Sequence, residues 1–393
     1  MKGSTINIAS VSDIHLGHPR TPTQLIADNF RKYVLPDNAV TAQLDVLNVA
    51  GDVWDRLLQL PEEEVYIGRQ LIVYILLICA KYNIILRFLE GTPRHDRKQS
   101  KMVQELIDIL GLDIDYKYMD GVQIEYIERL DKHVLYIQDE YETPEVALAE
   151  FRRLLAERGL EKVDWASMHG QFEFQLPDIG NARHKCHDSR AYLSLVRYFI
   201  FIGHDHTHAT LELPEFSSII CAHGSCDRLA HGEEEPKGHI RARIEPDGSK
   251  AITFVQNLDA MDYRTLDVAG LSTDEVIVLI RQQELREGSH IRLKGDVFDK
   301  GLRMIRHLRK DFPQYRLEPF PVKEKKRDTE QVIQITSHYQ PIQIGPTNVT
   351  TMVANWLANN GCSETEIKDC EDHLNEQINA GTRQQGARAV PDF

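Results

Sequence analysis

Two patterns of apolar positions alternate along the first two-thirds of the chain. Short, mostly apolar runs predict buried strands, and apolar positions three or four residues apart predict helices. The predicted strands are Ile6–Val11, Leu44–Ala50, Ile84–Leu89, Val163–Met168 and Tyr198–Ile202. The predicted helices are Val65–Ala80, Val103–Leu110 and Pro144–Arg158. Residues 121–137 have a period of two, which is typical of antiparallel strands. Strands that alternate with helices predict a layered α/β domain.

The pattern changes near residue 260. From there the order strand, helix, strand, helix, strand predicts a small α+β domain over residues 263–325, after a first domain over residues 1–262. Residues 326–380 predict two helices, of which the first carries an apolar stripe from Val349 to Leu357. Such a stripe is typical either of a core face or of a face that binds a partner. The tail, residues 381–393, is expected to be disordered.

Composition and charge narrow the class of protein. The chain has 393 residues and a net charge of −14, yet residues 281–327 carry 14 Lys and Arg against 7 Asp and Glu. The six cysteines form no CxxC pair, which favours a reducing compartment. No signal-peptide core is evident, and the apolar run Leu71–Ala80 is shorter than the roughly 20 residues of a bilayer span. We therefore expect a cytoplasmic protein that is not a membrane protein.

Polar motifs follow the predicted strands at the point where each strand ends. In open α/β sheets, ligands bind beyond the carboxyl ends of the strands, so these motifs are expected at one rim. Mixed carboxylates and imidazoles suit Mn²⁺, Fe²⁺ or Zn²⁺, and two such ions can clamp a phosphoryl group during in-line displacement. The candidate side chains are Asp13, His15, Asp52, His95, His169, His204 and His206.

The order of these motifs resembles the calcineurin-like metallophosphoesterase superfamily, whose pattern is D-x-H, G-D, G-N-H-D/E, H and G-H-x-H. The resemblance implies a β-sandwich flanked by helices and two divalent metal ions, with Mn²⁺ expected. It also implies that Asp52 bridges the two ions and that His95 is a catalytic residue that is not a ligand. The implied ligands of the first ion are Asp13, His15, Asp52 and His206, and those of the second are Asp52, His169 and His204.

The loop EGTPRHDR departs from the family pattern. It is two residues longer than G-N-H-D, and Arg94 occupies the place of the ligand Asn. A guanidinium cannot coordinate a metal because it offers no lone pair. Thr92 or a backbone carbonyl of the loop could replace the lost ligand. Two expectations for Arg94 stay open, a contact with the substrate phosphate and exposure to solvent, while Asp96 is expected to orient His95 or the loop.

A later segment resembles SbcD-type nucleases. In CAHGSCDRLAHGEEEPKGH a glycine-serine pair, a basic residue, acidic residues and a lysine-glycine pair follow in the order typical of that family. This implies a manganese-dependent exonuclease and endonuclease that acts on DNA ends in recombination and repair, in a bacterial or bacteriophage version. It further implies a homodimer and a partner ATPase of the SbcC type, whose coiled-coil base docks on the C-terminal helices.

Four basic residues of the small domain are candidate DNA contacts, because phosphate backbones attract Lys and Arg. They are Arg292, Lys294, Arg303 and Arg306. A solvated helix face explains them equally well. Two other functions stay open: a pyrophosphohydrolase of small molecules or lipid-linked substrates from the same superfamily, and a structural or DNA-binding subunit with impaired catalysis.

Overall fold

A computed structural model describes residues 4–176, 186–296 and 299–322, together with scattered residues between 350 and 375. The chain divides into two compact units, Met1–Lys323 and Glu324–Phe393. In the second unit every described residue is helical, but most of the expected partner-binding region, residues 326–380, lies outside the described residues. The same holds for the tail, residues 381–393.

The first sheet has six strands in the order β12-β11-β1-β2-β3-β4. Strands β1 to β4 run parallel to one another, and β11 and β12 extend the sheet antiparallel beyond β1. The strands are β1 (Ile6–Val11), β2 (Val46–Ala50), β3 (Ile85–Leu89), β4 (Tyr116–Met119), β11 (Gly238–Ile244) and β12 (Lys250–Gln256).

The second sheet also has six strands, in the order β5-β6-β7-β8-β10-β9. Its central strands β6, β7, β8 and β10 are parallel, and antiparallel strands close both edges. The strands are β5 (Val122–Ile127), β6 (Lys132–Ile137), β7 (Val163–Gly170), β8 (Val196–His204), β9 (Ala209–Glu212) and β10 (Ile219–Ala222).

The two sheets pack face to face. Alternate side chains from both sheets, such as Ile8, Val46, Trp165 and Phe199, form one buried cluster between them. This alternation follows from the period-2 geometry of a strand. A buried bidentate ion pair also links the sheets: Arg87 on β3 donates two hydrogen bonds, of 2.8 and 2.7 Å, to Glu125 on β5.

Helices cover the outer face of each sheet. Helices α1 (Thr23–Asn29), α2 (Glu63–Tyr82) and α4 (Met102–Leu110) pack on the first sheet, and α5 (Pro144–Arg158) and α6 (Ser189–Leu195) pack on the second. Helix α2 is long and apolar enough to span a bilayer, yet its apolar side is buried against the first sheet. The result is a mixed α/β fold, as the sequence predicts.

The small layer after residue 262 belongs to the same compact unit. Its strands β13 (Tyr263–Asp267), β14 (His290–Gly295) and β15 (Arg316–Pro321) are all parallel. The expected α+β arrangement is therefore wrong, and the layer is α/β. The physical reason is that helices connect successive strands, and a helical crossover returns the chain to the same end of the sheet. These helices are α7 (Thr273–Arg281), α8 (Lys300–Arg303) and α9 (Ile305–Asp311).

Candidate metal centre

The candidate side chains converge at one edge of the sandwich because parallel strands of both sheets end there. Asp13 and His15 follow β1, Asp52 follows β2, and His169 and His204 lie at the ends of β7 and β8. Asp13, His15 and Asp52 have φ angles of 52°, 53° and 49°. Non-glycine residues rarely adopt this left-handed region, and such strain concentrates at functional sites.

The first donor group consists of Asp13, His15 and His206, whose ligand atoms all lie within 4.8 Å of one another. The Nε2 atoms of His15 and His206 are 3.2 Å apart. Oδ1 of Asp13 lies 3.9 Å from Nε2 of His15 and 3.8 Å from Nε2 of His206. Three donor atoms from two loops, one after β1 and one after β8, therefore face one small volume.

The second donor group consists of Asp52, His169 and His204, again within 4.8 Å of one another. Oδ2 of Asp52 lies 3.3 Å from Nε2 of His169 and 3.8 Å from Nε2 of His15. One carboxylate oxygen of Asp52 thus faces both groups, which is the position that a bridging ligand needs.

Hydrogen bonds at Nδ1 fix the orientation of three imidazoles. His169 donates from Nδ1 to the carbonyl of Ala50 at 2.7 Å, and His95 donates to the carbonyl of Asp55 at 2.6 Å. Nδ1 of His206 lies 2.9 Å from Oε1 of Glu233. Each ring therefore turns Nε2 away from that hydrogen-bond partner. Histidines that bind metals are commonly held by such outer partners.

The electrostatics of the second group suit a cation. Burial alone would raise the pKa of Asp52, but the imidazoles of His169 and His15 outweigh burial and hold this pKa below its usual range. Burial alone would lower the pKa of His169, but Asp52 and Asp13 outweigh it and raise this pKa well above its usual range. Nε2 of His169 is buried with no hydrogen-bond partner. Nε2 of His169 and Oδ2 of Asp52 thus face each other at 3.3 Å in a buried place, where a divalent cation could compensate the carboxylate charge instead of a proton on His169.

A third group joins His95 to the first. The ligand atoms of His15, Asp55 and His95 lie within 4.8 Å of one another, and the rings of His15 and His95 are 5.1 Å apart. Oδ1 of Asp55 lies 3.2 Å from Nδ1 of His15. Asp55 therefore holds His15 through its side chain and His95 through its backbone carbonyl.

The loop that carries His95 is fixed by Asp96. Its carboxylate is fully buried and accepts hydrogen bonds from the backbone amides of Asp52, Trp54 and Gly91. Burial, and then the charge of Asp52, raise the pKa of Asp96 to about 8. Asp96 thus lies behind the donor groups and holds the loop.

Thr92, not Arg94, faces the second donor group. Arg94 is exposed in the short helix α3 (Pro93–Asp96), whereas Thr92 is 1% exposed. The amide of Thr92 donates to Oδ1 of Asp52 at 2.6 Å, and its hydroxyl lies 3.3 Å from Nδ1 of His204. Gly91 permits this approach, since a Cβ there would lie 2.2 Å from the Asp52 nitrogen.

The segment that resembles SbcD-type nucleases folds directly behind His206. Glu233 contacts Nδ1 of His206, and the buried ammonium of Lys237 lies 3.2 Å from Oε2 of Glu233 and donates to the carbonyl of His206 at 2.7 Å. Burial would raise the pKa of Glu233, but His206 and Lys237 lower it to about 2. The segment therefore orients one of the candidate ligands.

Sequence reasoning missed Asp139, whose Oδ2 lies 3.4 Å from Nδ1 of His204. A signal was present, because Asp139 comes two residues after the apolar end of β6. The interpretation of residues 121–137 as antiparallel strands predicts no rim position there. In the structure β6 pairs parallel with β7, which brings its carboxyl end to the same edge.

The four candidate DNA contacts do not come together. Ile291 and Leu293 on β14 face the helices of the small layer, so Arg292 and Lys294 lie on the opposite face of that sheet. Arg303 and Arg306 are exposed on the helical side.

Comparisons with known proteins leave the family open. No family model and no curated protein matches the chain. Among solved structures it is similar to GAP50, the anchor in the inner membrane complex of Plasmodium, at 14% identity and a TM-score of 0.39, over 65% of this chain and 85% of that chain. It is also similar to a single mutant of Vps29 from Entamoeba histolytica, at 13% identity and a TM-score of 0.28, over 64% of this chain and 99% of that chain.

Proposed function

We propose that this protein is a dinuclear-metal phosphodiesterase of the calcineurin-like metallophosphoesterase superfamily. The observation that carries the proposal is the position of Asp52, whose one carboxylate oxygen faces both His15 and His169. Two divalent cations, with Mn²⁺ proposed, would supply Lewis-acid stabilisation of a phosphoryl group and an activated water. The first group would hold one cation and the second group the other.

In this proposal His95 acts on the reacting group and does not hold a metal. Its Nδ1 proton is committed to the carbonyl of Asp55, so Nε2 is the atom available to the substrate. The ring lies beside His15 at the edge of the first donor group. A protonated Nε2 there would donate to a phosphoryl oxygen or to the leaving oxygen, as a general acid does.

We propose DNA as the substrate, with the protein acting as the exonuclease and endonuclease subunit of an SbcCD-like complex in the cytoplasm. Support comes from the segment behind His206, since Glu233 and Lys237 are among the residues on which the resemblance to SbcD-type nucleases rests. The homodimer and the coiled-coil ATPase partner are part of the same proposal. The helices expected to bind that partner lie mostly outside the described residues.

A cavity favours a second candidate, a phosphohydrolase of small molecules. This cavity of about 550 Å³ is lined by His204, Asp139, Glu140 and Tyr141. Its size suits a compact substrate group rather than a long polymer. The impaired-subunit alternative rests on Arg94, which is exposed and lies outside both donor groups.

Parallel assays with three substrates test the proposal. Purified protein with Mn²⁺ would be given an end-labelled DNA duplex, bis(p-nitrophenyl) phosphate and a dinucleoside pyrophosphate in parallel. We expect DNA cleavage that requires Mn²⁺ and is lost in His95→Ala. Efficient hydrolysis of the pyrophosphate with intact DNA would instead establish the second candidate, and no hydrolysis of any substrate would contradict the phosphodiesterase itself.

A further inference from the structure

Two oxygen-bearing side chains beyond the expected ligand set point at the second donor group. Oδ2 of Asp139 lies 3.4 Å from Nδ1 of His204 and 3.0 Å from the hydroxyl of Thr92. The same hydroxyl lies 3.2 Å from Oδ2 of Asp52. Asp139 and Thr92 thus close one side of the second donor group.

The fold explains why both residues reach this position. Asp139 follows β6, which pairs parallel with β7, so it emerges beside the end of the strand that carries His169. Thr92 precedes Pro93, the first residue of α3, and its backbone turns inward while Arg94 turns outward. Arg94 therefore lies outside the donor group, and Thr92 lies against it.

A simple hydrogen bond between Thr92 and Asp139 would not require the rest of the arrangement. Nε2 of His169 is fully buried, has no hydrogen-bond partner and points into the same group. Asp52 and Asp139 bring two carboxylates to this place, and both approach a histidine. A cation in the second donor group would face Nε2 of His169 and the carboxylate of Asp52, with the carboxylate of Asp139 beside His204.

We propose that Asp139 is a ligand of the second cation and that Thr92 positions it. The proposal rests on the proposed metal centre and names the residue that replaces the missing Asn. It also has a consequence for metal choice. An anionic carboxylate in place of a neutral amide makes the second group harder, which favours Mn²⁺ or Mg²⁺ over softer cations.

Calorimetric titration with Mn²⁺ tests the proposal without depending on turnover. We expect two ions per chain in the unmodified protein. Asp139→Ala should lower the affinity for the second ion by about tenfold or more, as loss of a supporting group does at other metal sites. The affinity for the first ion should stay unchanged. Asp139→Asn keeps a ligand oxygen and should restore much of the affinity, while Thr92→Val should show a smaller loss.

Glu142→Gln is the matched control, because Glu142 is an exposed carboxylate in the same loop. Thermal unfolding of each variant separates lost binding from lost fold, and the Asp139→Asn rescue provides a second check. Two ions bound with unchanged affinity in Asp139→Ala would overturn the role of Asp139 and leave the phosphodiesterase proposal standing. Fewer than two ions in the unmodified protein would overturn both.

Discussion

Nε2 of His169 lies 3.3 Å from Oδ2 of Asp52, and Nδ1 of His169 is held by the carbonyl of Ala50 at 2.7 Å. This pairing joins the two sheets, because Asp52 follows β2 of the first and His169 ends β7 of the second. The site therefore depends on the packing of the sandwich as much as on its loops. Gly51 makes the approach possible, since a Cβ there would lie 2.3 Å from Nδ1 of His169.

His95→Ala should abolish hydrolysis while the metal content stays unchanged. His95 is held by a backbone carbonyl and stands beside the first donor group, so its removal leaves that group intact. We expect turnover to fall about 10²-fold to 10⁴-fold, the usual contribution of a general acid. Turnover and bound Mn²⁺ would be measured on the same sample, with His133→Ala as control. Retained turnover would remove His95 from catalysis.

Glu233→Ala should lower the affinity for the first cation and leave the affinity for the second unchanged. The carboxylate holds Nδ1 of His206, and loss of such a partner commonly lowers metal affinity about 10-fold to 100-fold. Glu234→Ala is the neighbouring control, because Glu234 is exposed. Mn²⁺ titration of the two variants distinguishes them. Equal affinities in both would show that Glu233 does not orient His206.

Arg94→Asn should leave Mn²⁺ binding unchanged. The substitution introduces an amide that could bind a metal, but position 94 is exposed and Thr92 already faces the second group. A titration beside the unmodified protein measures the difference. A second ion that binds clearly tighter in the variant would mean that the introduced amide reaches the site and that Thr92 is not the substitute.

Arg87→Met should destabilise the sandwich by up to about 3–5 kcal/mol, because the buried carboxylate of Glu125 loses its bidentate partner and keeps the ion pair with the exposed Lys117. Arg87 is 1% exposed and binds Glu125 across the sheets. Arg87→Met combined with Glu125→Leu should recover much of the loss, since a buried apolar pair replaces an ion pair at little cost. Urea denaturation measures both variants, and an equal loss in each would contradict this pairing.

The same ion pair gives a pH dependence. Burial would raise the pKa of Glu125, but Arg87 and Lys117 outweigh it and lower this pKa below the usual value of 4.5. A carboxylate with a lowered pKa contributes stability above its unfolded pKa and loses it as the pH falls through the folded value. The stability difference between the unmodified protein and Arg87→Met should therefore shrink below about pH 4.5.

Much of the framework follows from local pattern. The limits of β1 and α5 agree with the sequence prediction, since a strand and a helix with such regular apolar periods are decided by their own residues. The donor residues are also predictable, because they follow strands that end at one edge. The α/β class is confirmed, and the site has clusters that could hold a metal ion.

The rest depends on contacts that are distant in sequence. Asp139 escapes sequence reasoning because the pairing of β6 with β7 cannot be inferred from β6 alone. The turn that exposes Arg94 and buries Thr92 depends on Pro93 and on the three hydrogen bonds that Asp96 accepts from backbone amides. The role of Glu233 and Lys237 cannot be predicted from the sequence, because it depends on the conformation of a loop that has no regular apolar period.

The most direct test of the metal centre is the electron paramagnetic resonance of bound Mn²⁺, since two ions that share the Asp52 carboxylate are magnetically coupled. We predict two Mn²⁺ per chain with a coupled spectrum in the unmodified protein. His204→Ala should retain one ion with the spectrum of an isolated Mn²⁺. A single uncoupled ion in the unmodified protein would contradict the shared position of Asp52. So would a His204→Ala spectrum identical to that of the unmodified protein.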